Sequence, residues 1–149
     1  MFAITTTTAL PDGIDALALA AADEGFGMIR HLIGEFRDAG NMFDQPGEAL
    51  WEARAGGRLI GVCGLNRDPY AAPLENAGRV RRLYVSQPWR RRGVATALLE
   101  RVIGHARGEF SMLTVFTTDP AAAGFYGACG FERVTGVTKR SFVMRLHVI

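Results

Sequence analysis

Residues 79–108, RVRRLYVSQPWRRRGVATALLERVIGHARG, carry a β-like run straight into a helix-like run through three consecutive arginines and a glycine. No other segment constrains the fold as much. From Arg92 onward Val94, Ala95, Leu98, Leu99, Val102, Ile103 and Ala106 recur on one helical face, with Thr96, Glu100, Arg101 and His105 turned away. Arg107 in the last turn and Gly108 just beyond it suit the C-terminal dipole and cap. The strand before the loop breaks simple alternation: Val80 has even parity, Leu83 and Val85 odd, and Arg81 and Arg82 lie where the pattern changes. A β-bulge, one extra residue in the strand, accounts for the slip. With the strand-like MLTVFTT that follows, the centre of the chain is a strand-helix-strand unit.

The flanks complete an α+β order without internal repeats. FAITTTTAL reads as a strand rich in β-branched residues; Pro11, Asp12 and Gly13 then turn the chain into a helix-like IDALALAAADE, and a second helix is expected over MIRHLIGEFRDA. ALWEARAGGRLIGVCGL reads as an antiparallel hairpin around Gly56 and Gly57. Residues 66–78, NRDPYAAPLENAG, form a loop longer than most connections and are a candidate for substrate contact. A short helix through AAAGFYGACG and a final strand pair ending in SFVMRLHVI close the order.

The arginines stand where a helix begins. Its first turn presents N–H groups with no intrahelical partner and a partial positive charge, which together bind phosphate oxygens. Gly93 lets an anion approach the backbone, Ala95 keeps the next turn narrow, and Thr96 adds a hydroxyl. Neither G-x-x-x-x-G-K-[ST] nor G-x-G-x-x-G occurs, so the nucleotide-triphosphate loop and the dinucleotide fingerprint are set aside.

Composition bounds the rest. At 149 residues, 48% hydrophobic and 21% charged, the chain fits one globular domain over residues 1–149. No apolar run approaches the roughly 18 residues that span a bilayer, and MFAITTTTAL lacks the basic start of a secretory signal; a soluble, cytoplasmic protein is expected. Cys63 and Cys129 are isolated from each other and from the three histidines, so they read as small buried residues and no metal is expected. The net charge of +2 is uneven. Residues 1–78 carry 5 basic and 11 acidic side chains, a net of −6, whereas residues 79–92 carry 6 arginines and no acid. An anion is expected at the arginines and a cation elsewhere.

Two motifs carry a resemblance. Arg90-x-x-Gly93-x-Ala95, after RLYVS and before the amphipathic helix, resembles the [QR]-x-x-G-x-[GA] motif of the GNAT superfamily of acyl-CoA-dependent N-acyltransferases. DPAAAGFYGACGF, residues 119–131, resembles that family's Asn-x-x-Ala-x-x-[hydrophobic]-Tyr run ending in Gly-Phe. The resemblance implies a GNAT fold of α+β class: a central mixed, mostly antiparallel sheet of about six to seven strands flanked by about four helices, with a splayed parallel strand pair holding acyl-CoA. It implies that Arg91, Arg92, Gly93, Val94, Ala95 and Thr96 hold the coenzyme A diphosphate, with Arg90 at the first motif position. Leu83, Tyr84 and Val85 would offer backbone contacts to the pantetheine arm, Phe125 would pack beside it, and Tyr126 would protonate the departing thiolate. Asp119 stands where the family has asparagine; it keeps an acceptor oxygen and is counted with the cofactor contacts. Where many members carry a glutamate base, this chain has Arg79, Arg81 and Arg82, which read as surface residues, and no base is assigned.

The implied reaction is transfer of an acetyl group from acetyl-CoA to a primary amine, on a small molecule or a protein, by direct attack. An amine with a pKa of about 10.4 must first lose a proton. A backbone N–H near Val85 would stabilise the oxyanion. The acidic balance of residues 1–78 is compatible with a cationic acceptor such as a polyamine, an aminoglycoside or a lysine side chain. No membrane partner is expected, and a homodimer is admitted. Two other functions fit less of the sequence. One is an acyl-CoA-binding sensor without transfer, for which the missing glutamate and asparagine speak and Tyr126 does not. The other is a nucleic-acid binder, against which stand the small net charge and the lack of interleaved aromatic and basic residues. His31 reads as structural rather than as a base, and neither cysteine reads as an acyl-carrying nucleophile.

Overall fold

In the computed structural model, which describes residues 1–146, seven strands share one sheet. They are β1 (Ala3–Thr7), β2 (Ala49–Ala55), β3 (Arg58–Arg67), β4 (Ala77–Val85), β5 (Met112–Val115), β6 (Glu132–Arg133) and β7 (Phe142–Arg145), in spatial order β1-β2-β3-β4-β5-β7-β6. Every neighbouring pair is antiparallel except β4 and β5, which the helix between them makes parallel. The β2–β3 turn is Gly56-Gly57 with φ of 57° and 79°, the paired positive values that a two-residue hairpin turn requires. The expected final strand ends at Arg145, and residues 147–149 of SFVMRLHVI lie outside the described residues.

Helices cover both faces. On one, α1 (Ile14–Asp23) and α2 (Met28–Arg37) pack over Leu50, Leu59, Val62 and Tyr84 of the sheet. Helix α2 buries Ile29, Leu32, Ile33 and Phe36, the i, i+3, i+4, i+7 stripe of an amphipathic helix. On the other face lie α3 (Val94–Ala106) and α4 (Pro120–Ala128). The apolar face read from the sequence is the face that α3 buries, through Val94, Leu98, Leu99, Val102 and Ala106.

The parity slip in β4 is a bulge. Arg81 pairs with Gly64 and Tyr84 with Val62, so Arg82 and Leu83 together oppose Cys63, and Arg82 takes φ 61°. The extra residue puts Val80 and Val85 on the same α3-facing side despite their opposite parity. The same strand also opens away from its parallel neighbour. Only Ala77, Gly78 and Arg79 pair with β5, at Met112, Leu113 and Thr114, while β4 runs on to Val85. Strand β5 stops at Val115, the last residue it pairs with β7, instead of continuing through Thr118.

The loop expected over residues 66–78 is shorter and differently employed. Asn66 and Arg67 belong to β3, and Ala77 and Gly78 to β4. The remainder is held at the closed end of β4, remote from Gly93. The Asp68 carboxylate accepts from the Tyr70 N–H at 2.9 Å, the Thr114 hydroxyl at 2.7 Å and Arg140 at 3.4 Å, and Arg140 also binds Glu75. Its link to the site is indirect, through the Tyr70 ring beneath the Arg79 guanidinium.

Candidate active site

A 3-10 turn, Gln87–Trp89, links β4 to a loop that enters α3. Arg91 with φ 61° and Gly93 with φ 83° both occupy the left-handed region, which reverses the chain and aims the first turn of α3 outward. Gly93 offers no side-chain cap, and the first intrahelical bond runs from the Ala97 N–H to the Gly93 carbonyl at 3.0 Å. The N–H groups of Val94, Ala95 and Thr96 therefore have no intrahelical partner. They face a cavity of about 280 Å³ lined also by Val85, Trp89, Arg90, Arg91 and Phe125. A Cβ at Gly93 would meet no atom within 4 Å, so glycine serves the backbone conformation and leaves open space in front of the helix. Arg91 and Arg92 are exposed beside it, the Arg92 guanidinium 5.1 Å from the centre of the Trp89 ring.

Arg90 lines the same cavity, but its guanidinium is engaged elsewhere. Its guanidinium forks onto the Glu24 carboxylate at 2.6 and 2.7 Å, and its Nε donates to the Val85 carbonyl at 3.0 Å. The Tyr84 hydroxyl donates to the same carboxylate. These bonds from Arg90 and then from Tyr84 hold the Glu24 carboxyl below its usual range, while burial and then Glu24 push the Tyr84 phenol up to about 12. The first motif position thus anchors the loop to the end of α1. Tyr84 also departs from the expectation of a pantetheine contact. The Ser86 N–H bonds the Ile60 carbonyl, so alternation turns the backbone of Tyr84 toward β3, and its ring is buried among α1 and α2. The backbone of Val85 is turned to the opposite, open edge, and Leu83 packs with it on the α3 side.

The splay between β4 and β5 holds a second pocket of about 250 Å³. Leu83, Val115, Thr117 and Ala122 form its walls, Tyr126 its floor, and Arg79, Arg81 and Arg82 one rim. Tyr126 is buried and packs edge-on against Phe125 and Phe131 at centroid distances of 5.3 and 5.5 Å. Among the described residues no group accepts a hydrogen bond from its hydroxyl. Burial raises its pKa strongly, which keeps the phenol protonated.

Comparison with protein families matches residues 17–131 to the acetyltransferase (GNAT) family. The chain belongs to this family. Over 90 residues it is 34% identical to N-alpha-acetyltransferase RimI of Mycobacterium tuberculosis, a match covering 60% of this chain and 55% of that protein. The chain thus spans about half the length of the curated relative it matches. A crystal structure from Exiguobacterium sp. 255-15 superposes with a TM-score of 0.85 at 25% identity, covering 97% of this chain and 93% of the other. The GNAT family N-acetyltransferase YhbS of Escherichia coli, solved in complex with CoA, superposes with a TM-score of 0.71 at 18% identity, covering 98% and 82%. The seven-stranded mixed sheet with its one parallel pair is the GNAT fold.

Within this GNAT chain several residues do other work than the sequence implied. Asp119 caps α4, its carboxylate accepting from the Ala122 N–H at 3.3 Å, and it does not line the Tyr126 pocket. An aspartate followed by proline at the first helical position is a capping signature in its own right. Arg81 and Arg82 are half-buried rather than on the surface, and both bind Glu35 of α2, at 3.5 and 2.9 Å. Cys63 is fully buried, and burial lifts its thiol to about 12; Cys129 is half-buried rather than buried, and burial followed by the charge of Glu100 raises its thiol too. Neither is a ready thiolate. His31 is exposed on α2 and does not line the pocket. Glu24, Glu35 and Trp89 escaped the sequence reading. Trp89 alone had a local signal, its place within QPWRRRG. Among the described residues no helix is long and apolar enough to cross a membrane.

Proposed function

We propose that this chain transfers an acetyl group from acetyl-CoA to a primary amine, on a small molecule or a protein, by direct attack. The observation that carries the reading is the continuity of the cradle and the splay. Unpartnered N–H groups at Val94, Ala95 and Thr96, with Arg91 and Arg92 beside them, fit a diphosphate. From there the β4 edge at Val85 and Leu83, which no strand pairs, fits an extended pantetheine arm that would lie along it as an added strand, with the Val85 N–H free and its carbonyl held by Arg90. Phe125 lines the cradle and touches Tyr126, covering the passage between the two.

In this reading the deprotonated amine nitrogen attacks the thioester carbonyl carbon, a C–N bond forms, the C–S bond breaks, and the amine's proton leaves to water. The Val85 N–H, on the open edge, supports the oxyanion, and the neutral Tyr126 hydroxyl gives its proton to the departing sulfur and takes one back from water, which its raised pKa favours. The relative from Mycobacterium tuberculosis is an N-alpha-acetyltransferase, which adds weight to an amino-group acceptor. Calorimetry and an amine screen test the proposal. Acetyl-CoA and desulfo-CoA are expected to bind with similar affinity, and at least one amine to release free thiol. Coenzyme binding with no turnover of any amine would favour a sensor, and heat from random duplex DNA with none from acetyl-CoA would favour a nucleic-acid binder.

A further inference from the structure

The rim of the Tyr126 pocket is more basic than its own ion pairs require. It is built from Arg79, Arg81 and Arg82, and among the described residues no acidic side chain lines the pocket itself. A single carboxylate, Glu35, serves two of these arginines, taking Arg82 Nε at 2.9 Å and Arg81 Nη1 at 3.5 Å. It also accepts from the Asn41 amide at 3.0 Å. Arg79 receives nothing: its Nε is buried without a hydrogen-bond partner, and its guanidinium lies 5.3 Å from the centre of the Tyr70 ring, a contact that leaves its charge uncompensated. Burial, and then the charge of Arg82, pulls the Arg81 guanidinium below its usual range. Three cations thus share one anion at the edge of a pocket whose floor is Tyr126.

Building on the acetyl-transfer reading, we infer that the acceptor is a small, amino-acid-like amine that carries its own carboxylate. The carboxylate seats on the Arg79–Arg81–Arg82 rim and the amine reaches in toward Tyr126. A guanidinium fork matches the two oxygens of a carboxylate, and the Arg79 guanidinium, which has no carboxylate partner among the described residues, lines the pocket beside Arg81 and Arg82. The volume of about 250 Å³ suits a small molecule. This acceptor is zwitterionic, in contrast to the purely cationic one that the acidic balance of residues 1–78 implied. Two acids of that segment, Glu24 and Glu35, are already bound to arginines.

Thiol release at saturating acetyl-CoA, compared between an amino acid, its amide and its decarboxylated amine, tests the inference. The carboxylate-bearing form is expected to exceed its amide by about 10- to 100-fold in kcat/KM. Arg79→Gln should bring that ratio close to one, and Arg79→Lys should restore part of it, with acetyl-CoA affinity by calorimetry reporting that fold and cradle survive. Amides, diamines or neutral N-terminal peptides used as well as the carboxylates would overturn the inference, as would an unchanged ratio in Arg79→Gln. Preference for succinyl-CoA over acetyl-CoA with an uncharged amine would assign the arginines to the acyl group instead. In these outcomes acetyl-CoA still binds and is turned over, so acetyl transfer stands. A wild-type protein that binds no acetyl-CoA would remove the transfer reading, and this inference with it.

Discussion

The cradle at the start of α3 and the pocket beside Tyr126 share strand β4, yet they are made in opposite ways. The cradle is main chain: consecutive N–H groups of one helix turn, aimed by two left-handed residues within three positions of each other. The pocket is side chain, contributed by β4, β5 and α4 and organised by Glu35 of α2. A backbone site tolerates many side chains provided the φ angles hold, whereas a side-chain site depends on every partner that orients it. Substitutions should therefore damage the two in different ways.

The largest expected effect is at Gly93. Glutamate there puts a negative side chain into the open space before the helix and forces a left-handed φ on a residue that resists it. Coenzyme affinity should fall by at least about 100-fold in calorimetry, while the strain costs only about 1 kcal/mol of stability in denaturant unfolding. Equal losses in both measurements would mean that the cradle is not where the diphosphate sits.

Tyr126→Phe probes the other region. It keeps the packed ring and removes a hydroxyl without a protein acceptor, so the thermal midpoint should barely move. In steady-state assays kcat should drop by roughly 10- to 100-fold with acetyl-CoA binding intact, the low end of acid catalysis because a thiolate with a conjugate pKa near 8.5 leaves fairly well unaided. The deficit should narrow as pH rises. A variant with full kcat at every pH would make the phenol purely a packing group.

Glu24 tests how the cradle loop is braced from outside. Glu24→Gln weakens the fork to Arg90 and the bond from Tyr84, at a cost of about 1–2 kcal/mol after allowance for solvent screening. The carboxyl is held below its usual range in the folded protein, so its contribution is complete above the unfolded value of about 4.3 and is lost as pH falls through the lower folded value. Wild type and variant should accordingly converge in stability under acid. A constant gap down to the acid transition would assign the effect to something other than this carboxylate's charge.

The smallest effect separates a cap from a ligand. Asp119→Ala should cost about 1 kcal/mol through the lost bond to the Ala122 N–H, and Asp119→Asn should cost much less, with coenzyme affinity unchanged in both. A marked loss of affinity in either would return Asp119 to the cofactor site.

Local order was legible in the sequence because it depends on residues a few positions apart. The apolar stripe of α3, the Gly56-Gly57 turn and the slip in parity between Val80 and Val85 each act within a turn of helix or a few residues of strand, and each has its counterpart in the fold. The amide-lined start of α3 belongs to the same class, since a glycine before a helix is enough to leave three N–H groups unpaired. What the tertiary structure alone decided is which charges meet. Arg90 is 66 residues from Glu24 and Arg82 is 47 from Glu35, and nothing in the order of residues distinguishes these arginines from Arg91, Arg92 or Arg79, which find no such carboxylate among the described residues. A net charge counted along the chain treats every carboxylate as available. Folding pairs two of them with arginines of the strand and its following loop, and the pocket beside Tyr126 is lined by three arginines and, among the described residues, by no acid. Ion pairing acts over a few ångströms of space, and only the assembled sheet and helices determine which side chains lie that close.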